Sequence, residues 1–231
     1  MSDKKDTDFN RPLVLLDRRG FLKAGVAIAA APLIAGMGAY VLPSEAQAAT
    51  NKTSGKTILI ISSSPRANSN SDALSNEFMR GAQEAGHVVE KIRLSEKKIN
   101  YCTGCLACID EPGSCSQQDD MDKIRERMLA ADTIVLATPV YFHVMNGQMK
   151  VFIDRACPIY PLLRDKDFYY AVSCAGGNSQ VESSVKNLKI FTRSFSGAKE
   201  KGIMSITGAW DEGAAQKSAA FRQAYTLGVN S

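Results

Sequence analysis

The chain has 231 residues, 45% hydrophobic and 23% charged with only 7% aromatic, a composition that excludes a disordered, collagen-like or small disulfide-stapled protein. Its 28 Lys and Arg against 24 Asp and Glu leave a formal charge of +4, too weak and too scattered for the footprint of a nucleic-acid or other polyanion binder. A chain of this length buries its core without cross-links, yet four of its six cysteines, Cys102, Cys105, Cys108 and Cys115, crowd into fourteen positions.

In chain order, the first segment reads as an address. Arg18-Arg19-Gly20-Phe21-Leu22-Lys23 precedes an apolar stretch from Ala24 to Leu42, and Pro43-Ser44-Glu45-Ala46-Gln47-Ala48 ends in a small-x-small site. These parts in this order resemble a bacterial twin-arginine signal. The resemblance implies engagement with the twin-arginine translocase, cleavage after Ala48 or Ala49, and a periplasmic or cell-envelope location. An uncleaved anchor and a core helix are the alternatives; Gly25, Pro32, Gly36 and Gly38 make the stretch a poor packed helix. Removing residues 1–48 leaves about 183 residues at about +3, the size of one domain. Residues 49–56 read as a polar linker.

From Thr57 onward, short apolar runs alternate with longer helical patterns, which is the signature of βαβ units. Strands are predicted at Thr57–Ser62, His87–Leu94, Thr133–Thr138, Phe168–Ser173 and Gly202–Ile206, and helices at Ser71–Ala85, Asp120–Ala131, Gly147–Arg155, Gln180–Ser196 and Ala214–Leu227. The fold class is therefore α/β: a doubly wound, five-stranded parallel sheet in three αβα layers, with its ligand site beyond the strand C-termini.

The loop after the first strand, Ser62-Ser63-Ser64-Pro65-Arg66-Ala67-Asn68-Ser69-Asn70-Ser71, offers hydroxyls, amides, a cation and a helix N-terminus, all suited to a phosphate. It carries neither Gly-x-Gly-x-x-Gly nor a P-loop, so a dianionic monophosphate suits it better than a dinucleotide or a nucleoside triphosphate. The competing reading is that Ser69 or Ser71 merely caps the helix.

Taken together, Ser64-Pro65-Arg66 with Ser69-Asn70-Ser71, Ala137-Thr138-Pro139-Val140-Tyr141-Phe142, and Gly147-Gln148-Met149-Lys150 through Phe152-Ile153-Asp154-Arg155 resemble the NADPH-dependent FMN reductase family of flavodoxin-like proteins over roughly residues 57–230. The resemblance implies a flavodoxin-like strand order of 2-1-3-4-5 and FMN as cofactor. Its phosphate would lie at Ser64, Arg66, Ser69, Asn70 and Ser71, and its ring against Pro139, Val140, Tyr141 and Phe142. The turn Ala175-Gly176-Gly177 would touch the flavin through exposed backbone. A homodimer or homotetramer is also implied.

The cysteines follow Cys102-x2-Cys105-x2-Cys108-x6-Cys115. Three thiolates at intervals of three can wrap corners of one cube, with Gly104 freeing the turn and Pro112-Gly113 returning the fourth. This is close to the four-cysteine [4Fe–4S] run of ferredoxins, apart from the longer last interval. It resembles the compact motif of the iron–sulfur flavoproteins. Zinc, disulfides across strained short loops, and thiols that hold nothing remain alternatives. Cys157 and Cys174 read as isolated packing residues. His87 reads as structural and His143 as a flavin-loop residue, Asp119 or Asp120 as a helix cap, and Trp210 and Asp211 as cover for the site or an oligomer interface.

The expected activity is an exported FMN-dependent oxidoreductase with a [4Fe–4S] cluster. It would move electrons between a donor and a quinone, a redox protein or a small acceptor, with NAD(P)H a possible substrate. The alternatives are an NAD(P)H-dependent FMN or quinone reductase without a cluster, a non-catalytic electron carrier, and a cysteine-clamped binding module. No side chain reads as a catalytic acid or base, so the site residues are binding residues and metal ligands.

Overall fold

The structure is a computed structural model that describes residues 55–231; the expected signal and most of the linker lie outside the described residues. The elements are β1 (Thr57–Ser62), α1 (Asn70–Glu84), β2 (Val88–Arg93), α2 (Ala107–Asp110), α3 (Met121–Ala130), β3 (Thr133–Tyr141), β4 (Val144–Met145), α4 (Gly147–Arg155), β5 (Asp167–Ser173), α5 (Asn178–Arg193), β6 (Lys199–Ile206) and α6 (Ala219–Val229). Five parallel strands run in the order β2-β1-β3-β5-β6, and the two-residue β4 pairs antiparallel with the end of β3. Without β4, this is the expected 2-1-3-4-5 order.

The layers follow from residue alternation along continuous apolar strands. Ile58, Ile60, Val135 and Ala137 face α1 and α6, packing with Leu74, Phe78 and Ala224. Leu59, Ile61, Ile134 and Leu136 face the other way, onto Ile124, Met149, Phe152 and Leu188. Ile58 through Ile61 are all at most 1% exposed, and burying each such side chain is worth about 1.5–3 kcal/mol.

On the first face α1 and α6 meet at two glycines. A Cβ on Gly228 would lie 2.1 Å from the Phe78 carbonyl oxygen, and one on Gly81 would lie 2.3 Å from that of Tyr225. Only a residue without a side chain allows that approach.

The departures from expectation have local causes. The run expected as one helix over 214–227 is broken into a 3-10 turn, Ala215–Lys217, and α6. Ser218 is extended between them, and its hydroxyl accepts from the Phe221 N–H at 3.2 Å, starting a new helix. β3 continues three residues past Thr138 because Pro139 still registers with Ser173 of β5 and Tyr141 with Val144 of β4. β6 begins at Lys199 rather than Gly202 and absorbs a register shift opposite Phe168 and Tyr169. His87 lies just before β2, where its Nδ1 accepts from the Lys56 N–H at 3.0 Å, a structural contact.

Candidate functional site

A cleft of about 290 Å³ opens beyond the C-terminal ends of β1, β3 and β5, where the strand order reverses and doubly wound sheets bind ligands. Ser64, Arg66, Ser69 and Asn70 form one side, and Pro139, Val140, Tyr141 and Ala175 another. Three segments distant in sequence are thus brought together. Ser71 is fully buried behind the wall and Phe142 stands 97% exposed at a hairpin tip; Gly176 and Gly177 lie on the turn into α5, outside the wall.

The loop that carries Ser64 and Arg66 is built from below. Ser69 caps α1, its Oγ accepting from the Asp72 N–H at 3.2 Å, so the capping reading holds while the same residue still faces the cleft. Asp72, 1% exposed, accepts from Ser62 and pairs with Lys91 and Arg93. Arg93 also donates to the carbonyls of Arg66, at 3.1 Å, and Ala67, at 3.3 Å. A buried carboxylate is tolerated only when so paired, and here the pairing also pins the loop backbone. The Arg66 guanidinium forms no ion pair among the described residues and is exposed at the cleft. Asn70 uses its carboxamide on the wall, donating to the carbonyls of Ala209 and Asp211 and accepting from the Ala215 N–H at 2.9 Å. Trp210 lies on the same wall and is 76% exposed.

The loop that carries Pro139, Val140 and Tyr141 is fixed by Asn146, the cap of α4 and only 1% exposed. It donates to the Ser63 carbonyl at 2.6 Å and accepts from the Met149 N–H at 3.2 Å, with Thr138 beside it at 3.3 Å. One side chain therefore joins β1, β3 and α4. Between β3 and β4 the turn is only Phe142 and His143, both at positive φ (48° and 76°). Phenylalanine is not a residue type favoured there, whereas histidine is among the few enriched at positive φ. The turn thrusts the Phe142 ring outward, edge-on to His143 at 5.7 Å.

The cysteine loop forms a second site. Cys102, Cys105, Cys108 and Cys115 line one pocket of about 30 Å³, and Cys157 lines it with them. Cys157 is a correction to the sequence reading: it is exposed, not packed, and its Sγ lies 3.8 Å from that of Cys108. Cys174 is buried, as expected of a packing residue. Gly104 and Leu106 take positive φ, folding the chain around the pocket, and the Gly113 N–H donates to the Pro158 carbonyl at 2.7 Å. Hydrogen bonds from the Ser116 hydroxyl and the Ala107 N–H hold the Cys105 thiol below its usual pKa. Burial, with Cys157 as neighbour, pushes Cys108 up to about 11.

All six thiols are free, and among the described residues no three Cys, His, Asp or Glu side chains converge tightly enough to hold a metal ion as they stand. The donor chemistry nevertheless suits a thiolate-held group, with soft sulfur ligands on one loop whose backbone already turns around them.

Arg155, the last residue of α4, grips both ends of that loop. Its Nη1 donates to the Asn100 carbonyl and to Asp119, each at 2.7 Å, and its Nη2 to Asp119 at 3.1 Å and the Gln117 carbonyl at 3.4 Å. Arg155 is 1% exposed, and its Nε is buried without a partner, a state that costs about 1–3 kcal/mol. Burial works against the Asp119 carboxylate, but Arg155 and the N–H groups of Asn100 and Met121 hold its pKa below the usual carboxylate range. Asp120 takes the N-cap position of α3 without a capping bond from its side chain, and Asp119, which accepts from the Met121 N–H at 3.0 Å, also anchors the cysteine loop through Arg155. Arg155 belongs to a motif visible in the sequence, but nothing local ties it to residues 36 to 55 positions away.

Known proteins resemble this chain in sequence and in fold. The family profile described as NADPH-dependent FMN reductase matches residues 57–224. An iron-sulfur flavoprotein of Archaeoglobus fulgidus is 42% identical over 95 residues, 41% of this chain and 43% of that protein. An iron-sulfur flavoprotein of Methanosarcina thermophila is 37% identical over 108 residues, 47% and 54% of the two chains. The chain spans about half the length of these curated relatives. An azoreductase of Bacillus anthracis superposes with a TM-score of 0.62 at 17% identity, covering 76% of this chain and all of that one. An NAD(P)H:quinone oxidoreductase of Methanothermobacter marburgensis gives 0.61 at 16%, covering 76% and 96%. At such identities these two likenesses establish the fold.

Proposed function

The chain belongs to the NADPH-dependent FMN reductase family, and from that premise we propose that it is an FMN-dependent oxidoreductase whose flavin occupies the cleft over β1, β3 and β5. The observation that carries this reading is that the two sequence blocks of the family face each other across one cleft, with a cation, a capped helix N-terminus and hydroxyls on one side and Pro139, Val140 and Tyr141 on the other. Ser64, Arg66 and Ser69 would hold the phosphate and, with the N–H groups opening α1, neutralise its charge. Asn70 would act by holding the 209–215 wall in place. Tyr141 and Trp210 would shield the ring from water, and Ala175 would leave room for its edge.

We further propose that Cys102, Cys105, Cys108 and Cys115 hold a [4Fe–4S] cluster, with the exposed loop closing around it. The likeness to proteins named iron-sulfur flavoproteins and the shared pocket support this. When bound, the flavin supplies two-electron chemistry and the cluster one-electron chemistry. The polypeptide binds, orients and shields both groups, and donates no proton from an identified acid. NAD(P)H, a quinone, a redox protein or a small acceptor are the proposed electron partners, and export by the twin-arginine pathway as a homodimer or homotetramer completes the reading. The thiols as they stand do not converge, which favours a second reading, an NAD(P)H-dependent quinone reductase without a cluster.

The deciding experiment is anaerobic purification and reconstitution, with assays for FMN, iron, acid-labile sulfide and zinc. One FMN with iron and sulfide per chain is expected. FMN alone would replace the first reading with the second, zinc without sulfide would make the cysteine site structural, and no FMN would overturn both. For export, replacing Arg18 and Arg19 with Lys should retain the precursor inside the cell; unimpaired export would refute the signal.

A further inference from the structure

The guanidinium of Arg155 uses only part of its donor set. Both terminal nitrogens are taken by the ends of the cysteine loop and by Asp119. The fifth donor, Nε–H, is sealed from solvent and unpartnered, on a residue that lines the same small pocket as Cys102, Cys105, Cys108, Cys115 and Cys157. A buried N–H without an acceptor is uncommon in native proteins. The acceptors lining this pocket are the sulfurs of five cysteines and the side-chain oxygens of Thr103, Ser116, Gln117 and Asp154, of which Ser116 is already paired with Cys105 and Asp154 with Lys150, so sulfur is the most abundant acceptor there. The pocket contains no carbonyl or carboxylate already bonded to that nitrogen.

We propose that Arg155 is a positioning and tuning residue for the thiolate-held group, its Nε–H donating to a sulfur of that group while its terminal nitrogens lock the two ends of the loop. This rests on the cluster reading above and goes beyond it by assigning a role outside the four-cysteine motif. Adding an electron to a cluster makes its sulfurs more negative, so an N–H aimed at one of them favours the reduced state and raises the reduction potential. The neighbouring Asp119 carboxylate offsets most of the guanidinium's charge, which leaves the directed hydrogen bond as the larger influence.

The test uses the full chain, reconstituted anaerobically with ferrous iron and sulfide. With ¹⁵N-labelled arginine, pulsed EPR of the reduced wild-type protein should show a nitrogen coupling, and that coupling should vanish in Arg155→Lys, which keeps a cation beside Asp119 but has no N–H at the Nε position. The midpoint potential of Arg155→Lys should fall by the equivalent of about a tenfold change in the one-electron equilibrium, about 59 mV, with iron and sulfide retained. If Arg155→Lys sheds its iron, a pair of neutral double variants decides. In an Asp119→Asn background, Arg155→Gln keeps an N–H at the same chain position and should retain the higher potential, whereas Arg155→Met should not. Equal potentials in that pair would overturn the proposal. A wild-type cluster without arginine coupling, or an unmoved potential in Arg155→Lys, would sink the role of Arg155 and leave the cluster reading standing. Wild-type protein without iron and sulfide would sink the cluster reading and this inference together.

Discussion

At the scale of single residues, the two candidate sites owe their shape to side chains that need not touch a ligand. Arg93 holds the carbonyls of Arg66 and Ala67 and the carboxylate of Asp72, so it sets the backbone on which the proposed phosphate donors are mounted. Arg93→Met should leave the sheet folded, because Lys91 still pairs with Asp72 at 2.7 Å. It should weaken FMN binding about tenfold, or ~1.4 kcal/mol, read by quenching of flavin fluorescence on titration; unchanged affinity would show that the loop is fixed by other means. Among the thiols, Cys105→Ala should reduce iron per chain to less than half on reconstitution. Cys157→Ala should leave it unchanged, since Cys157 lies beside Cys108 without belonging to the four-residue run. Loss of iron in Cys157→Ala would make it a ligand in place of one of the four.

At the scale of elements, contacts are set by how closely helices approach the sheet and each other. The α1 and α6 pair depends on Gly81 and Gly228. Gly228→Ala should cost about 1–3 kcal/mol through overpacking against the Phe78 carbonyl, visible as a lower midpoint in urea with an unchanged slope. On the opposite face β5 is stitched to α5 by the Tyr170 hydroxyl, 2.6 Å from that of Thr192. Burial pushes the Tyr170 pKa up to about 12 from 10.0. A raised folded-state value means that the folded chain binds this proton more tightly than the unfolded one. Its contribution is therefore complete below about pH 10 and is lost as the pH climbs toward 12. Urea midpoints measured across that window should fall less steeply in Tyr170→Phe than in the wild type, and parallel curves would assign the alkaline loss to other groups.

At the scale of the whole molecule, the order of elements was legible because it is carried by local pattern. Ile58–Ile61 and Ile134–Ala137 are uninterrupted apolar runs, all buried, and such runs separated by helical stretches leave few alternatives to a parallel sheet. The loops facing the cleft could be named in advance for the same reason, since strand C-termini fix where ligands sit. What could not be read depends on packing between distant segments. The Cys108 and Cys157 contact joins residues 49 positions apart; no spacing rule relates them until α4 is laid on the sheet. The break at Ser218 was hidden because Ala214, Ala215, Ala219 and Ala220 are strong helix formers on both sides of it.

The helix α4 has a consequence of its own. Its cap, Asn146, secures the loops beside the cleft, and its final residue, Arg155, grips the cysteine loop. Nine residues at about 1.5 Å each make it a strut of roughly 13 Å, so the spacing and the angular phase between the two sites are written into one stretch of backbone hydrogen bonds. One alanine inserted at the middle of α4 would advance everything beyond it by about 100°, swinging Arg155 off the loop while Asn146 kept its partners. Such a protein should still take up FMN but no longer retain iron: the two sites would be uncoupled by a change in helical phase, with no ligand residue altered.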